Sequence, residues 1–190
     1  MIVEADLNAL LERMYCEGGS YEGPLTPEDF GVCYSDAYIN RIDEGDGMMQ
    51  YSLPKSLRHL EQSLDGVLHE FDTIVVSGLS GVIPGAIIAH KYNKQLVVVR
   101  KDDDITHGTR TEGKDHFKEG TPYIVLDDFI CSGRTMTRIL TKMQDLGYGL
   151  PKYVCLYRGS MWKPVDMYGT EKVQATHVQH GLYAPTLVKE

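Results

Sequence analysis

YIVLDDFICSGRT, residues 123–135, joins a short apolar run to two adjacent carboxylates and a turn of small residues. The run at 123–126 is typical of a strand that is buried on both faces of a parallel sheet. Asp127 and Asp128 follow at the carboxyl end of that strand, where open parallel sheets bind their ligands. Apolar residues at helical spacing come next, from Met136 to Met143. The segment therefore predicts a strand, an acid pair, a turn and a helix of an α/β domain.

The turn has the residue types of a phosphate-binding turn. The hydroxyls of Ser132 and Thr135, the backbone N–H groups and the positive end of the helix dipole all attract an anion. Gly133 allows the backbone to approach closely. Carboxylates one turn away suit sugar hydroxyls, so we expect a sugar phosphate here. The alternative is that the acids are only solvated and Ser132 only caps the helix, which explains the serine but not the acid pair.

The rest of the chain continues the same pattern. Apolar, β-branched runs at 73–76, 96–99 and 153–156 alternate with helices predicted at about 82–92 and 135–146. This order predicts a doubly wound, mainly parallel sheet flanked by helices. Apolar residues at helical spacing indicate further helices at 7–14 and 57–71, whereas 18–55 and 102–120 are polar and rich in turn residues. A loop as long as 102–120 is usually functional or mobile.

Composition narrows the class of protein. The 190 residues suffice for one α/β domain, and the net charge of −8 disfavours a nucleic-acid-binding protein. The four cysteines show neither zinc-ligand spacing nor a disulfide framework, so we expect reduced thiols. The sequence shows no signal-peptide pattern and no stretch long enough to span a membrane. We therefore expect a cytoplasmic protein with no membrane partner.

The stretch IVLDDFICSGRT resembles the motif with which type I phosphoribosyltransferases bind 5-phosphoribosyl 1-pyrophosphate (PRPP), and the order of elements is similar over about 70–158. By this resemblance Asp127 and Asp128 are the catalytic residues, which contact the ribose hydroxyls. The residues implied to wrap the 5′-phosphate are Cys131, Ser132, Gly133, Arg134 and Thr135. The resemblance also implies one domain over 1–190, with a core at about 56–158 and a small hood or flap over the base from 18–55, 159–190 or both.

The resemblance extends to the pyrophosphate site and to a mobile loop. The residues that would bind pyrophosphate are Ser77, Gly78, Leu79, Ser80, Gly81, Arg100 and Lys101, although packing glycines and surface charge would give the same pattern. In the loop 102–120, His107, Arg110 and Lys114 are the side chains placed to reach developing negative charge. The triplet Asp102-Asp103-Asp104 departs from the family pattern, and its orientation stays open.

The implied reaction is displacement of pyrophosphate from the ribose C1 by a nucleobase nitrogen. Mg²⁺ is the expected cofactor, held by Asp127 and Asp128 directly or through water, and a homodimer is the expected assembly. Cys131 stands where the 6-oxopurine enzymes typically have an aspartate, which counts against a hypoxanthine or guanine enzyme of the common kind. Orotate and adenine both stay open. The alternative to an enzyme is a regulator that senses PRPP or a nucleotide on the same fold.

Overall fold

The computed structural model describes residues 53–101, 110–117, 120–130, 132–158, 162, 165–167 and 171–189. The chain divides into two compact units, Met1–Lys55 and Ser56–Glu190. Only three residues of the first unit, 53–55, are described. The helix predicted at 7–14 and almost all of the polar segment 18–55 lie outside the described residues. The described residues therefore belong to the second unit, apart from the first three residues of the helix that begins at Leu53.

The described strands form one sheet. In chain order they are β1 (Thr73–Val76), β2 (Gln95–Val99), β3 (Thr111–Glu112), β4 (Tyr123–Asp127), β5 (Tyr153–Leu156), β6 (Val165–Met167), β7 (Glu171–Gln179) and β8 (Leu182–Lys189). They lie in the order β3-β2-β1-β4-β5-β8-β7-β6. β2, β1, β4 and β5 are parallel, as predicted, and the remaining neighbours pair antiparallel.

Helices cover both faces of the parallel strands. They are α1 (Leu53–Leu64), α2 (Gly78–Lys91) and α3 (Arg134–Asp145), with 3₁₀ turns at Leu68–Glu70 and Lys114–His116. The apolar stripe of α3, which includes Ile139 and Met143, packs in one cluster with Val75 and Val125. α2 instead lies against Val76, which points to the opposite face because side chains alternate along a strand. The prediction of a doubly wound sheet flanked by helices is confirmed.

Two helix boundaries and the structure of one loop differ from the sequence predictions. α2 begins at Gly78, four residues before the predicted start, because its first turn contains two glycines and a serine and has no apolar stripe to detect. The helix predicted over 57–71 ends at Leu64, where Gly66 takes a positive φ of 79° and turns the chain. The loop 102–120 contains β3 and a 3₁₀ turn, which a search for helical periodicity does not find.

The carboxyl-terminal part of the chain continues the sheet beyond residue 158. β7 and β8 form a long hairpin, and β8 pairs antiparallel with β5 through Val154 and Cys155. Cys155 is a free, buried thiol whose pKa is raised to about 12 by burial. Within the described residues, no helix is long and apolar enough to cross a membrane. Coverage of a base by 159–190 stays a prediction.

Candidate functional site

The acid pair lies at the carboxyl end of β4 and is buried. Asp127 is the last residue of the strand, and Asp127 and Asp128 are each 4% exposed. The backbone N–H of Asp128 donates a hydrogen bond to Asp127 Oδ1 at 3.0 Å. Burial, and then the neighbouring charge of Asp128, raise the pKa of Asp127 well above its ordinary value, while the positive charge of Arg138 opposes the shift. Asp127 therefore holds its proton to a higher pH than an ordinary carboxyl group does, and a cation bound beside it would favour the ionised form.

Arg158 supplies a counter-charge that the sequence analysis did not find. Its Nη1 donates to Asp128 Oδ2 at 3.4 Å, and both side chains are almost fully buried. The backbone N–H groups of Tyr157 and Arg158 donate to the carbonyls of Asp127 and Asp128, at 3.2 and 3.0 Å. The chain that leaves β5 thus holds the acid pair from one side. The sequence pattern could have indicated this contact, because Arg158 follows β5 and the acid pair lies at the end of β4. The carboxyl ends of these neighbouring parallel strands meet at one edge of the sheet.

The phosphate turn opens toward solvent. Ser132 and Arg134 are exposed, and Gly133 takes a φ of 78° immediately before α3, a left-handed conformation that favours glycine. The N–H of Thr137 donates to the carbonyl of Gly133 at 2.8 Å, so the helix starts at the turn. Cys131 lies outside the described residues. The turn presents the amino terminus of a twelve-residue helix, as a phosphate site requires.

The segment predicted to bind pyrophosphate is the first turn of α2, not a loop before it. Ser77 is buried at the end of β1, and Gly78 has a φ of 68°. Leu79 is 58% exposed. A Cβ at Gly81 would lie 3.1 Å from Val76 Cβ and 3.2 Å from the carbonyl oxygen of Leu126, so this glycine allows α2 to pack closely on the sheet. Gly81 thus has a packing role, which is the alternative that the sequence had left open.

Tyr157 anchors this first turn to the acid pair. Pro84 lies inside α2 and has no N–H, so it cannot form the helical bond to the carbonyl of Ser80, four residues earlier. The buried hydroxyl of Tyr157 donates to that carbonyl at 2.7 Å instead. Because the N–H of Tyr157 also bonds the carbonyl of Asp127, one residue ties the two parts of the site together.

Arg138 is the second cation that the sequence analysis missed. It lies one turn into α3, and its Nη2 donates to Ser77 Oγ at 3.4 Å. Its Nε atom is buried and has no hydrogen-bond partner among the described residues. Helical periodicity could have shown that Arg138 shares a face with Arg134, but not that this face turns toward β1.

The remaining predicted residues divide into three groups. Arg100 Nε donates to Glu112 Oε1 at 3.0 Å, and the backbone N–H of Arg100 donates to the carbonyl of Arg110 at 2.9 Å. Both arginines line one cavity with Ser132 and Arg134, so the structure brings these four together. Lys101 and Lys114 are exposed and are not part of the lining. His107 and the acidic triplet 102–104 lie outside the described residues.

The cavity has a volume of about 610 Å³ and a cationic lining. The lining consists of Val99, Arg100, Arg110, Ser132, Arg134, Thr137, Arg138, Thr141, Lys142 and Asp145. Five of these side chains are cationic and one is a carboxylate, in a chain of net charge −8. Such a local reversal of charge favours an anionic ligand.

The acid pair is compatible with a magnesium ion that a substrate helps to hold. In the part of the chain that the structure describes, no three His, Cys, Asp or Glu side chains form a group that could bind a metal by themselves. Mg²⁺ usually takes one or two carboxylates and completes its shell with water and phosphate oxygens. Asp127 and Asp128 would supply the carboxylates and PRPP the phosphate oxygens.

A doubly wound sheet with an acid pair and a phosphate turn at its carboxyl edge defines an α/β protein that binds a sugar phosphate. Comparison with curated proteins narrows this class. The chain is 31% identical over 118 residues to the adenine phosphoribosyltransferase of Lachnoclostridium phytofermentans, a match over 55% of this chain and 67% of that one. It is 29% identical over 146 residues to the enzyme of the same name from Agathobacter rectalis, covering 70% of this chain and 79% of that one. The chain belongs to the type I phosphoribosyltransferase family, which confirms the family suggested by the motif.

Solved structures show a more limited similarity. The orotate phosphoribosyltransferase of Aeropyrum pernix matches with 21% identity and a TM-score of 0.43, over 54% of this chain and 55% of that one. The adenine phosphoribosyltransferase of Thermoanaerobacter pseudethanolicus matches with 24% identity and the same TM-score, over 54% and 65%. The chain thus spans between half and two thirds of the length of these structures. No family model matches the sequence.

Proposed function

We propose that the protein transfers the 5-phosphoribosyl group from PRPP to adenine and releases pyrophosphate. The observation that carries the proposal is the buried pair Asp127 and Asp128, one turn before a phosphate turn that opens a helix. Adenine is chosen among the bases that the sequence left open because the curated relatives described above bear that name. Cys131, in place of an aspartate at the head of the phosphate turn, agrees with this choice.

The charges of the site match those of the reaction. As pyrophosphate leaves, positive charge develops on the ribose ring, and the two carboxylates would lie beside that ring. The nearby positive charge lowers the cost of ionising Asp127, whose pKa is raised in the free protein. Arg100, with the first turn of α2, would face the departing pyrophosphate. The structure thus supports opposite charges on the two sides of the breaking bond.

Magnesium is part of the proposal. When bound, it would neutralise charge on the pyrophosphate, and Asp127 and Asp128 would hold it directly or through water. Ser132, Gly133, Arg134 and Thr135 would hold the 5′-phosphate. A hood over the base, a homodimer and a cytoplasmic location belong to the same proposal, supported by the likeness to the family.

The test is a pyrophosphate-release assay with PRPP, excess magnesium and one base at a time from a panel of adenine, hypoxanthine, guanine, xanthine, uracil, orotate and nicotinate. We expect release with adenine. Replacing both carboxylates, Asp127→Asn with Asp128→Asn, should lower kcat/KM by at least about 100-fold, because two groups aimed at developing charge are lost. Glu61→Gln, a carboxylate change on α1, serves as the control and should leave the rate unchanged.

Release with another base would replace adenine by that base and leave the transferase in place. PRPP binding in calorimetry without release for any base would favour the PRPP-sensing regulator instead. If the protein bound no PRPP in the presence of magnesium, the whole proposal would be wrong.

A further inference from the structure

The peptide group that joins Tyr157 to Arg158 is hydrogen-bonded on both of its sides. The carbonyl of Tyr157 and the N–H of Arg158 belong to one rigid plane and point in opposite directions. The N–H donates to the carbonyl of Asp128 at 3.0 Å. On the other side, Nδ1 of His59 lies 3.2 Å from the carbonyl oxygen of Tyr157. Because a carbonyl oxygen only accepts, Nδ1 carries the proton in this hydrogen bond and donates it. One peptide plane thus connects α1 to the acid pair.

α1 is held against the carboxyl-terminal hairpin, which fixes the place of His59. Leu60, the next residue, is fully buried. The side-chain amide of Gln179 donates to the carbonyls of Ser63 and Asp65, at 3.0 and 2.8 Å. The side chain of His59 itself is exposed. The helix therefore sets the position of His59, and no core packing is lost when its ring is replaced.

The hydrogen bond from His59 acts on Asp128 in two ways. A donor on the carbonyl of Tyr157 polarises the peptide group and strengthens the N–H of Arg158 as a donor. The same bond opposes rotation of the plane, which would also displace the side chain of Arg158. The Nη1 of Arg158 donates to Asp128 Oδ2 at 3.4 Å. Both the backbone and the carboxylate of Asp128 therefore depend on the orientation of this plane.

We propose that His59 is a positioning residue for the transfer reaction. It would orient the peptide plane between Tyr157 and Arg158, and through that plane Asp128, without contact with PRPP or the base. The inference rests on the proposed function, in which the acid pair meets charge that develops in the transition state. Loss of the bond should therefore lower kcat more than it changes the KM for PRPP.

The experiment compares His59→Leu with His59→Asn. Leucine has the branched shape of the imidazole at Cγ but no donor, whereas asparagine places an amide N–H close to the position of Nδ1. Two rates are measured: hydrogen exchange of the Arg158 amide in the ligand-free protein, by NMR, and pyrophosphate release. In His59→Leu, exchange should be faster and kcat lower, each by about three- to tenfold, as expected for one hydrogen bond between neutral groups. His59→Asn should restore both rates to within about twofold of the wild type.

His90→Leu is the matched control, because it makes the same replacement at an exposed histidine in the last turn of α2. Both rates should equal those of the wild type. Unchanged exchange at Arg158 in His59→Leu would overturn the proposal, and so would faster exchange with an unchanged kcat. An asparagine variant as impaired as the leucine variant would also overturn it, since the donor would then not matter.

Hydrogen exchange is measured without PRPP or a base, so it does not depend on turnover. Faster exchange at Arg158 in His59→Leu, restored in His59→Asn, would support the link from α1 to the acid pair even if the wild type released no pyrophosphate. In that case the proposed function would be wrong and the link would stand. Failure of the inference is therefore distinct from failure of the proposed function.

Discussion

At the scale of single residues, the surroundings of Asp127 disfavour its ionised form. Asp127 is 4% exposed and lies beside Asp128, and both effects raise its pKa. The folded protein therefore binds a proton on Asp127 at pH values where the unfolded chain has already lost it. Stability from this group is fully present below the ordinary pKa of 3.8 and is lost as pH rises through the raised value. In the ligand-free protein, ionisation of Asp127 thus lowers the free energy of unfolding.

Asp127→Asn should remove that pH-dependent loss because an amide does not titrate. Urea unfolding of the ligand-free wild type and the variant, at a series of values between about pH 4 and 8, measures the difference. Relative to the variant, the wild type should lose up to about 1.4 kcal/mol per pH unit within the window. Near neutral pH the variant should be at least as stable as the wild type, although its activity is lost. Parallel stability curves for the two proteins would contradict this account.

At the scale of elements, the first turn of α2 is held by a contact from another strand. Pro84 leaves the carbonyl of Ser80 without its helical donor, and the hydroxyl of Tyr157, just after β5, replaces it. The segment Gly78-Leu79-Ser80-Gly81 has no apolar stripe of its own. Its position is therefore set by this hydrogen bond and by the close approach of Gly81 to β1 and β4.

Tyr157→Phe should leave the carbonyl of Ser80 unsatisfied and loosen this turn. We expect a loss of about 1–3 kcal/mol in the free energy of unfolding, because a buried acceptor loses its partner. The KM for PRPP should rise by a larger factor than kcat falls, since the turn would face the pyrophosphate. Tyr153→Phe, at the start of β5, is the matched control: its hydroxyl donates to Glu70 near the surface, so its loss should cost under about 1 kcal/mol. A Tyr157→Phe variant as stable as this control would remove the anchoring role.

The strands also show which parts of the fold could be predicted from the sequence. β1 and β4 were predicted because runs such as TIVV and YIVL are buried on both faces and leave a clear apolar signal. β7 was missed because it reads EKVQATHVQ and fully buries only Val173, so its pattern resembles a polar loop. The acid pair and phosphate turn are local in sequence and could be predicted. Arg138 and Arg158 join the site through contacts between distant segments, which local spacing does not encode.

At the scale of the whole molecule, the sheet combines a parallel half with an antiparallel half. The parallel strands end at the site, whereas β7 and β8 extend the sheet on the far side of β5. The junction lies where Leu156, at the end of β5, meets Gly181, in the turn before β8. The N–H of Leu156 donates to the carbonyl of Gly181 at 2.8 Å. Since Tyr157 and Arg158 follow immediately, the hairpin supports the segment that holds the acid pair.

Gly181→Ala tests whether this junction couples the hairpin to the site. Gly181 has a φ of 63°, and a Cβ there would lie 2.5 Å from the carbonyl oxygen of Leu156. The left-handed conformation costs about 1–2 kcal/mol for alanine, and relief of the backbone clash adds to it. We expect a total loss of about 2–4 kcal/mol in urea unfolding. A lower rate of pyrophosphate release should accompany this loss of stability, because the end of β5 must shift.

Gly149→Ala is the control variant. A Cβ at Gly149 meets nothing within 4 Å, so this change should alter stability by less than about 0.5 kcal/mol. If the two alanine variants were equally stable, the β7–β8 hairpin would not hold the end of β5 in position.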